Sequence, residues 1–138
     1  MYTRIKNSFG EKLSFSITVG FREGYGGGVV PAQDHSYDRF ELITVLGKWM
    51  QKRASNNQPF LTGIVSEVQE VVYSHAAHFF SEPVVTFSGE VSHLYFPKDQ
   101  INSVPDILDE IASVLGEAMN QTRVYVSYCD KNWIIQKE

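Results

Sequence analysis

The sequence predicts an α+β sandwich of ferredoxin-like type. Its order is β-α-β-β-α-β with an additional C-terminal strand, and both helices cover one face of an antiparallel sheet. Three observations carry that expectation. "LSFSITVG" alternates Leu13, Phe15, Ile17 and Val19 with Ser14, Ser16 and Thr18, the period of two that gives a strand one buried face. Two segments repeat apolar residues at helical spacing, and between them lie two β-rich stretches joined by a short connection. At 138 residues the chain has the length of one domain, 1–138, and is large enough to bury a core without staples.

Taken in order, the first helix is expected in "YDRFELITVLGKWMQKRA". Phe40, Ile43, Leu46, Trp49 and Met50 form its apolar stripe, Ser36 its N-cap, and "SNNQP" its stop. "PFLTGIVSEVQEVVYSH" and "EPVVTFSGEVSHLYFP" read as two strands turning through "AAHFFS". "SVPDILDEIASVLGEAMNQ" is the second helix. Ser103 and Asp106 resemble a capping box, Pro105 suits the first turn, and Ile107, Leu108, Ile111, Val114, Leu115 and Met119 make the buried stripe. "RVYVSYC" and "WIIQKE" flank "DKN", a hairpin turn. The glycines of the echo "TGIVSE" and "SGEVSH" are expected at bulges or bends.

Composition excludes several classes. A net charge of −4 and the lack of a Lys/Arg run argue against general nucleic-acid binding. No apolar run approaches a membrane span and "MYTRIKNSFGEK" has no signal-type apolar region, so a cytoplasmic protein is expected. The one cysteine, Cys129, allows neither an internal disulfide nor a multi-cysteine metal site. "HAAH", with His75 and His78 four residues ahead of Glu82, falls in a hairpin turn and reads as solvated histidines; no metal is expected. His93 reads as a packing or hydrogen-bonding strand residue.

With both helices on one side, the other face is open. Ser14, Ser16, Thr18, Thr86, Ser88, Tyr125 and Ser127 fall on it by alternation, with Val65, Val71, Tyr73, Val84 and Leu94 among them. Pairing the central hairpin about "AAHFFS" sets Glu67 opposite Glu90 there. A face mixing hydroxyls with branched apolar side chains suits subunit packing, so a homo-oligomer is expected.

The long connection from Gly20 to about His35 holds "GYGGG", four glycines in five positions, where compact domains use about 4–6 residues in all. Its amides suit an anion nest. Arg22 offers a guanidinium fork, Tyr25 a stacking surface, Gly26 and Gly27 close backbone approach, and His35 a donor or a proton carrier. Arg123 and Tyr125 supply a second arginine with an aromatic neighbour. The segment matches neither a Walker-type phosphate loop nor the dinucleotide fingerprint, and no cofactor is expected. These residues lead to a non-enzymatic small-molecule-binding protein. It would hold an anionic, nucleotide-like ligand with Arg22, Tyr25, Gly26, Gly27, His35, Arg123 and Tyr125, as sequestering proteins do. Two alternatives stand beside it: a small acid/base enzyme of isomerase or tautomerase type using His35 or a Glu67/Glu90 pair, and an inhibitor of a basic protein partner.

Overall fold

The computed structural model describes residues 1–24 and 35–138. Along the chain run β1 (Ser14–Gly20), α1 (Arg39–Ser55), β2 (Ile64–Val65), β3 (Gln69–His75), β4 (His78–Glu90), a 3₁₀ segment (Lys98–Ser103), α2 (Val104–Ala118), β5 (Arg123–Tyr128) and β6 (Lys131–Gln136). The sheet order is β2-β4-β1-β5-β6, with β3 also on β4, and every pairing is antiparallel. This is the ferredoxin-like arrangement the alternation predicts, extended by the C-terminal hairpin.

Phe15, Ile17 and Val19 of β1, Val85 and Phe87 of β4, and Val124 and Val126 of β5 are all buried. They meet Leu42, Leu46 and Trp49 of α1 and Leu108, Ile111 and Leu115 of α2. The α2 stripe is as expected. The α1 stripe is not: Phe40 and Ile43 are exposed and Leu42 is buried. The expected cap also moves two residues. Asp38, not Ser36, accepts from the Glu41 amide at 2.8 Å, which starts the helix later and rotates its inward face. Ser103 makes no cap bond; its hydroxyl turns back to the Gln100 carbonyl of the 3₁₀ segment.

The central hairpin departs most from expectation. Its turn is Ala76–Ala77, both with left-handed φ (52° and 65°), and His75 pairs directly with His78. "HFFS" therefore belongs to β4, and Val71 faces Glu82. Three residues, Ser66 to Val68, stand between the last β2 pair and the first β3 pair, opposite only Val85 and Thr86 of β4, which is a β-bulge. Arg39 pins it, donating to the carbonyls of Ser66 (2.9 Å) and Val65 (3.3 Å). Glu67 lies in this bulge, while Glu90 stands opposite Ser14, whose hydroxyl donates to it. The expected Glu67/Glu90 pair is thus corrected: a turn two residues earlier, plus the bulge, separates them. Val65 sits opposite Phe87 on the helix side, and Leu94 follows the strand, so neither is on the open face.

Gly63 and Gly89 mark close approach. A Cβ on Gly63 would press on the Ser88 carbonyl, and one on Gly89 would stand 2.9 Å from the Thr62 carbonyl oxygen.

Candidate functional site

The open face carries Ser16, Thr18, Thr86, Ser88, Tyr125 and Ser127, as alternation requires, and Thr18 and Thr86 share a hydrogen bond of 3.1 Å. The feature that sets the face apart lies past Gly20, where it has a buried charge. Glu82 is 1% exposed. Two residues before Val84 on β4, it takes the same face by parity, next to Arg22, two residues past Gly20 on the β1 side.

Pro83 explains why β1 ends there. Phe21 donates to the Pro83 carbonyl at 3.0 Å, but proline has no N–H to return the bond. The Phe21 carbonyl accepts from Tyr37 instead, at 2.7 Å, and the Glu23 amide donates to His35 at 2.8 Å. The chain thus leaves the sheet into a narrow neck, 21–24 against 35–37, with Arg22 bridging to Ser36.

At the mouth of that neck an Arg22 terminal nitrogen stands 3.2 Å from Glu82 Oε2, and the Tyr73 hydroxyl donates to Oε1 at 2.9 Å. Both carboxylate oxygens are bonded to charged or polar donors, the condition under which burial of the charge is tolerated. Tyr73 stacks on Phe80, centroids 5.7 Å apart. Its phenol is pushed up to about 12 by burial first, then by the hydrogen bond to Glu82 and that carboxylate's charge, with Arg22 opposing. At neutral pH Tyr73 is a fixed donor, not a base.

The expected site residues divide accordingly. Arg22 is in the cluster. Tyr125 lies on the same face opposite Thr18, and Arg123 precedes it by two residues, its Nε 3.3 Å from Gln136 Oε1. His35 is exposed, its ring edge-on to Tyr37 at 4.8 Å, and serves the neck through its carbonyl. Tyr25, Gly26 and Gly27 lie outside the described residues. Glu82 and Tyr73 were missed as site residues because "AAHFFS" carries no glycine or asparagine to fix the turn. The available signal was parity: Glu82 interrupts the hydroxyl and valine series Val84, Thr86, Ser88 with a charge. His93 hydrogen-bonds the Glu11 carbonyl. Among the described residues no group of acidic, histidine and cysteine side chains is arranged to hold a metal, and no helix is long and apolar enough to cross a membrane.

No protein-family model and no curated protein matches the chain. Solved structures do match. In fold this chain is similar to a phage SAM lyase. The similarity to that lyase in complex with S-methyl-5'-thioadenosine has a TM-score of 0.63 at 15% identity, over 98% of this chain and 97% of the other. To a phage SAM lyase in the apo state the TM-score is 0.58 at 16% identity, over 100% and 97%. These matches correct the expectation of a non-enzymatic sequestering protein: both solved chains that share this fold over nearly their whole length are SAM lyases.

Proposed function

We propose that the chain is an enzyme that cleaves SAM without water, with Glu82, Arg22 and Tyr73 as the core of its active site. The observation that carries this reading is the buried Glu82 carboxylate, held by Arg22 and Tyr73 on the open face of a fold otherwise seen binding a thioadenosine. A neutral-ligand scaffold gains nothing from a desolvated charge there, whereas a substrate carrying a sulfonium and an ammonium is attracted to it.

The chemistry favours positioning over proton transfer. If the substrate's own carboxylate closes on the γ-carbon, the new C–O bond forms as the C–S bond breaks. The electron pair goes to sulfur, the sulfonium charge is discharged, and a neutral thioether leaves beside a lactone. No proton moves in that step. Tyr73, with its phenol raised to about 12, supplies a donor, and Arg22 and Glu82 supply fixed charge. The enzyme's task is then to fold the aminobutyryl chain into an attack geometry and exclude water. Tyr125 and Arg123 extend the same face toward the substrate, and homo-oligomer packing covers that face, where Ile64 and Ile134 stand exposed.

The test is mass-spectrometric detection of S-methyl-5'-thioadenosine from SAM and purified full-length chain, beside Glu82→Gln and Tyr73→Phe. A rate above the spontaneous one, lowered at least ~100-fold in Glu82→Gln, is expected. Turnover no faster than the enzyme-free control would refute the reading. Light scattering of the same sample reports the assembly.

A further inference from the structure

The ladder between β1 and β5 stops at Thr18 and Tyr125, and that between β1 and β4 at Gly20 and Val84. Arg22 lies beyond both, so strand pairing does not fix its place. Bonds from the turn between α2 and β5 take over. Gln121 Nε2 donates to the Arg22 carbonyl at 3.0 Å, Asn120 Nδ2 to Glu23 Oε1 at 2.7 Å, and Thr122 Oγ1 to the Gly24 carbonyl at 3.1 Å. The Gly24 amide donates in return to the Asn120 carbonyl at 2.8 Å. Three consecutive residues of the turn hold three consecutive residues of the neck.

The turn is itself tied to the core. Asn120 has a left-handed φ of 49°, its amide donates to the Glu117 carbonyl at 3.2 Å, and the Gln121 amide donates to that of Gly116 at 2.8 Å. This is a Schellman closure of α2, whose Ile111 and Leu115 are buried. Lys137 braces the other side, its backbone amide 2.8 Å from the Thr122 carbonyl and its ammonium 2.9 Å from Asn120 Oδ1. Gln121 is 3% exposed, and its Nε2 also donates to the Met119 carbonyl at 2.8 Å. Its Oε1 has no hydrogen-bond partner among the described residues, which is a cost to the fold. What glutamine adds over a hydrocarbon of its size is the amide donor that reaches Arg22.

We propose that Asn120, Gln121 and Thr122 are positioning residues: anchored on the end of α2, they set how far Arg22 reaches toward Glu82. The kinetic part of this proposal rests on the SAM-cleaving reading. They act through Arg22, since their side-chain bonds go to the backbone of the neck and to Glu23. The guanidinium stands 3.2 Å from Glu82 Oε2. A shift of about 1 Å in the neck carries that contact out of hydrogen-bond range. An intramolecular closure that needs one folded substrate geometry is sensitive to a displacement of this size, which can cost about 100-fold in rate.

The experiment compares the full-length chain with Gln121→Met and Asn120→Gly; glycine keeps the left-handed turn while removing the side-chain amide. Each protein is followed by thermal denaturation, by release of S-methyl-5'-thioadenosine from SAM, and by NMR relaxation of the Arg22 Nε–H group without SAM. Both variants should melt within about 5 °C of the parent. Their kcat should fall about 10–100-fold while KM stays within about threefold, and the Arg22 Nε–H should lose order. Thr122→Val should act in the same direction more weakly, and Thr122→Ser, which keeps the hydroxyl, should behave as the parent. Should Gln121→Met fail to fold, Asn120→Gly and the Thr122 pair carry the test. A kcat within about twofold of the parent in every variant would overturn the proposal, as would a loss of rate that tracks Tm while Arg22 stays ordered, the mark of a merely structural role. If the parent chain itself does not turn over SAM, the lyase reading fails, and Arg22 order alone decides: unchanged order in the variants overturns the positioning role.

Discussion

The Arg22–Glu82 pair can be weighed by a double-mutant cycle of Arg22→Met, Glu82→Gln and the combination. At 3.2 Å and an effective dielectric near 20, the bare attraction is about 5 kcal/mol. Desolvating a carboxylate 1% exposed removes several of those. Arg22 keeps 31% of its side chain in water, which screens the pair further. A coupling energy of about 1.5–3 kcal/mol remains. Arg22→Met alone should cost more, about 3 kcal/mol, because it removes the guanidinium from a carboxylate that stays buried. Glu82→Gln keeps the volume and still accepts from the Tyr73 hydroxyl, so about 1.5–2 kcal/mol is expected. Urea unfolding followed by Trp49 and Trp133 fluorescence measures all four proteins. Coupling below about 0.5 kcal/mol, the range of exposed pairs, would show that the carboxylate is hydrated and would remove the central argument for the site.

Three further outcomes follow from other parts of the structure. The folded state holds the Tyr73 proton more tightly than the unfolded chain does. Its contribution to stability is therefore intact below pH 10 and lost as pH rises from 10 to about 12. Alkaline unfolding should show a step of about 1–2 kcal/mol over that window, absent in Tyr73→Phe. Ala77→Gly relieves a left-handed alanine in the hairpin turn and should raise stability by about 0.5–1 kcal/mol in thermal denaturation. Gly63→Ala drives a methyl into the Ser88 carbonyl and the Phe87 ring and should cost about 1–3 kcal/mol in the same assay; no loss would mean that the β2–β4 contact gives way freely.

How much of this was legible depended on periodicity. Clean alternation in Leu13–Val19 and the six-residue stripe of α2 placed the open face and the core, since each pattern has one way of burying its apolar side. The α1 stripe was blurred because Phe40 and Ile43 compete with Leu42 for the same turn of helix, and the Asp38 cap decides between them. The site itself was half legible. Arg22 was named for its loop, but its partner depended on the register of a hairpin that turns at two alanines, residues with no intrinsic preference for left-handed φ. Cross-strand contacts over sixty residues, as between Arg22 and Glu82, are set by tertiary pairing and leave no local trace.

Pro83 divides β4 into two halves with different prospects. From Val84 to Glu90 the strand has β1 on one side. Before Pro83, among the described residues, β3 alone accompanies it. Amide hydrogen exchange should therefore split one continuous strand into two cooperative units, with the Val85–Phe87 stretch exchanging only through global unfolding and the 78–82 stretch opening at lower free energy. Glu82 sits at the seam. Opening the outer unit would pull that carboxylate from Arg22 while the core stays shut, so the protein can lose and rebuild its charged site many times in the lifetime of a single folded molecule.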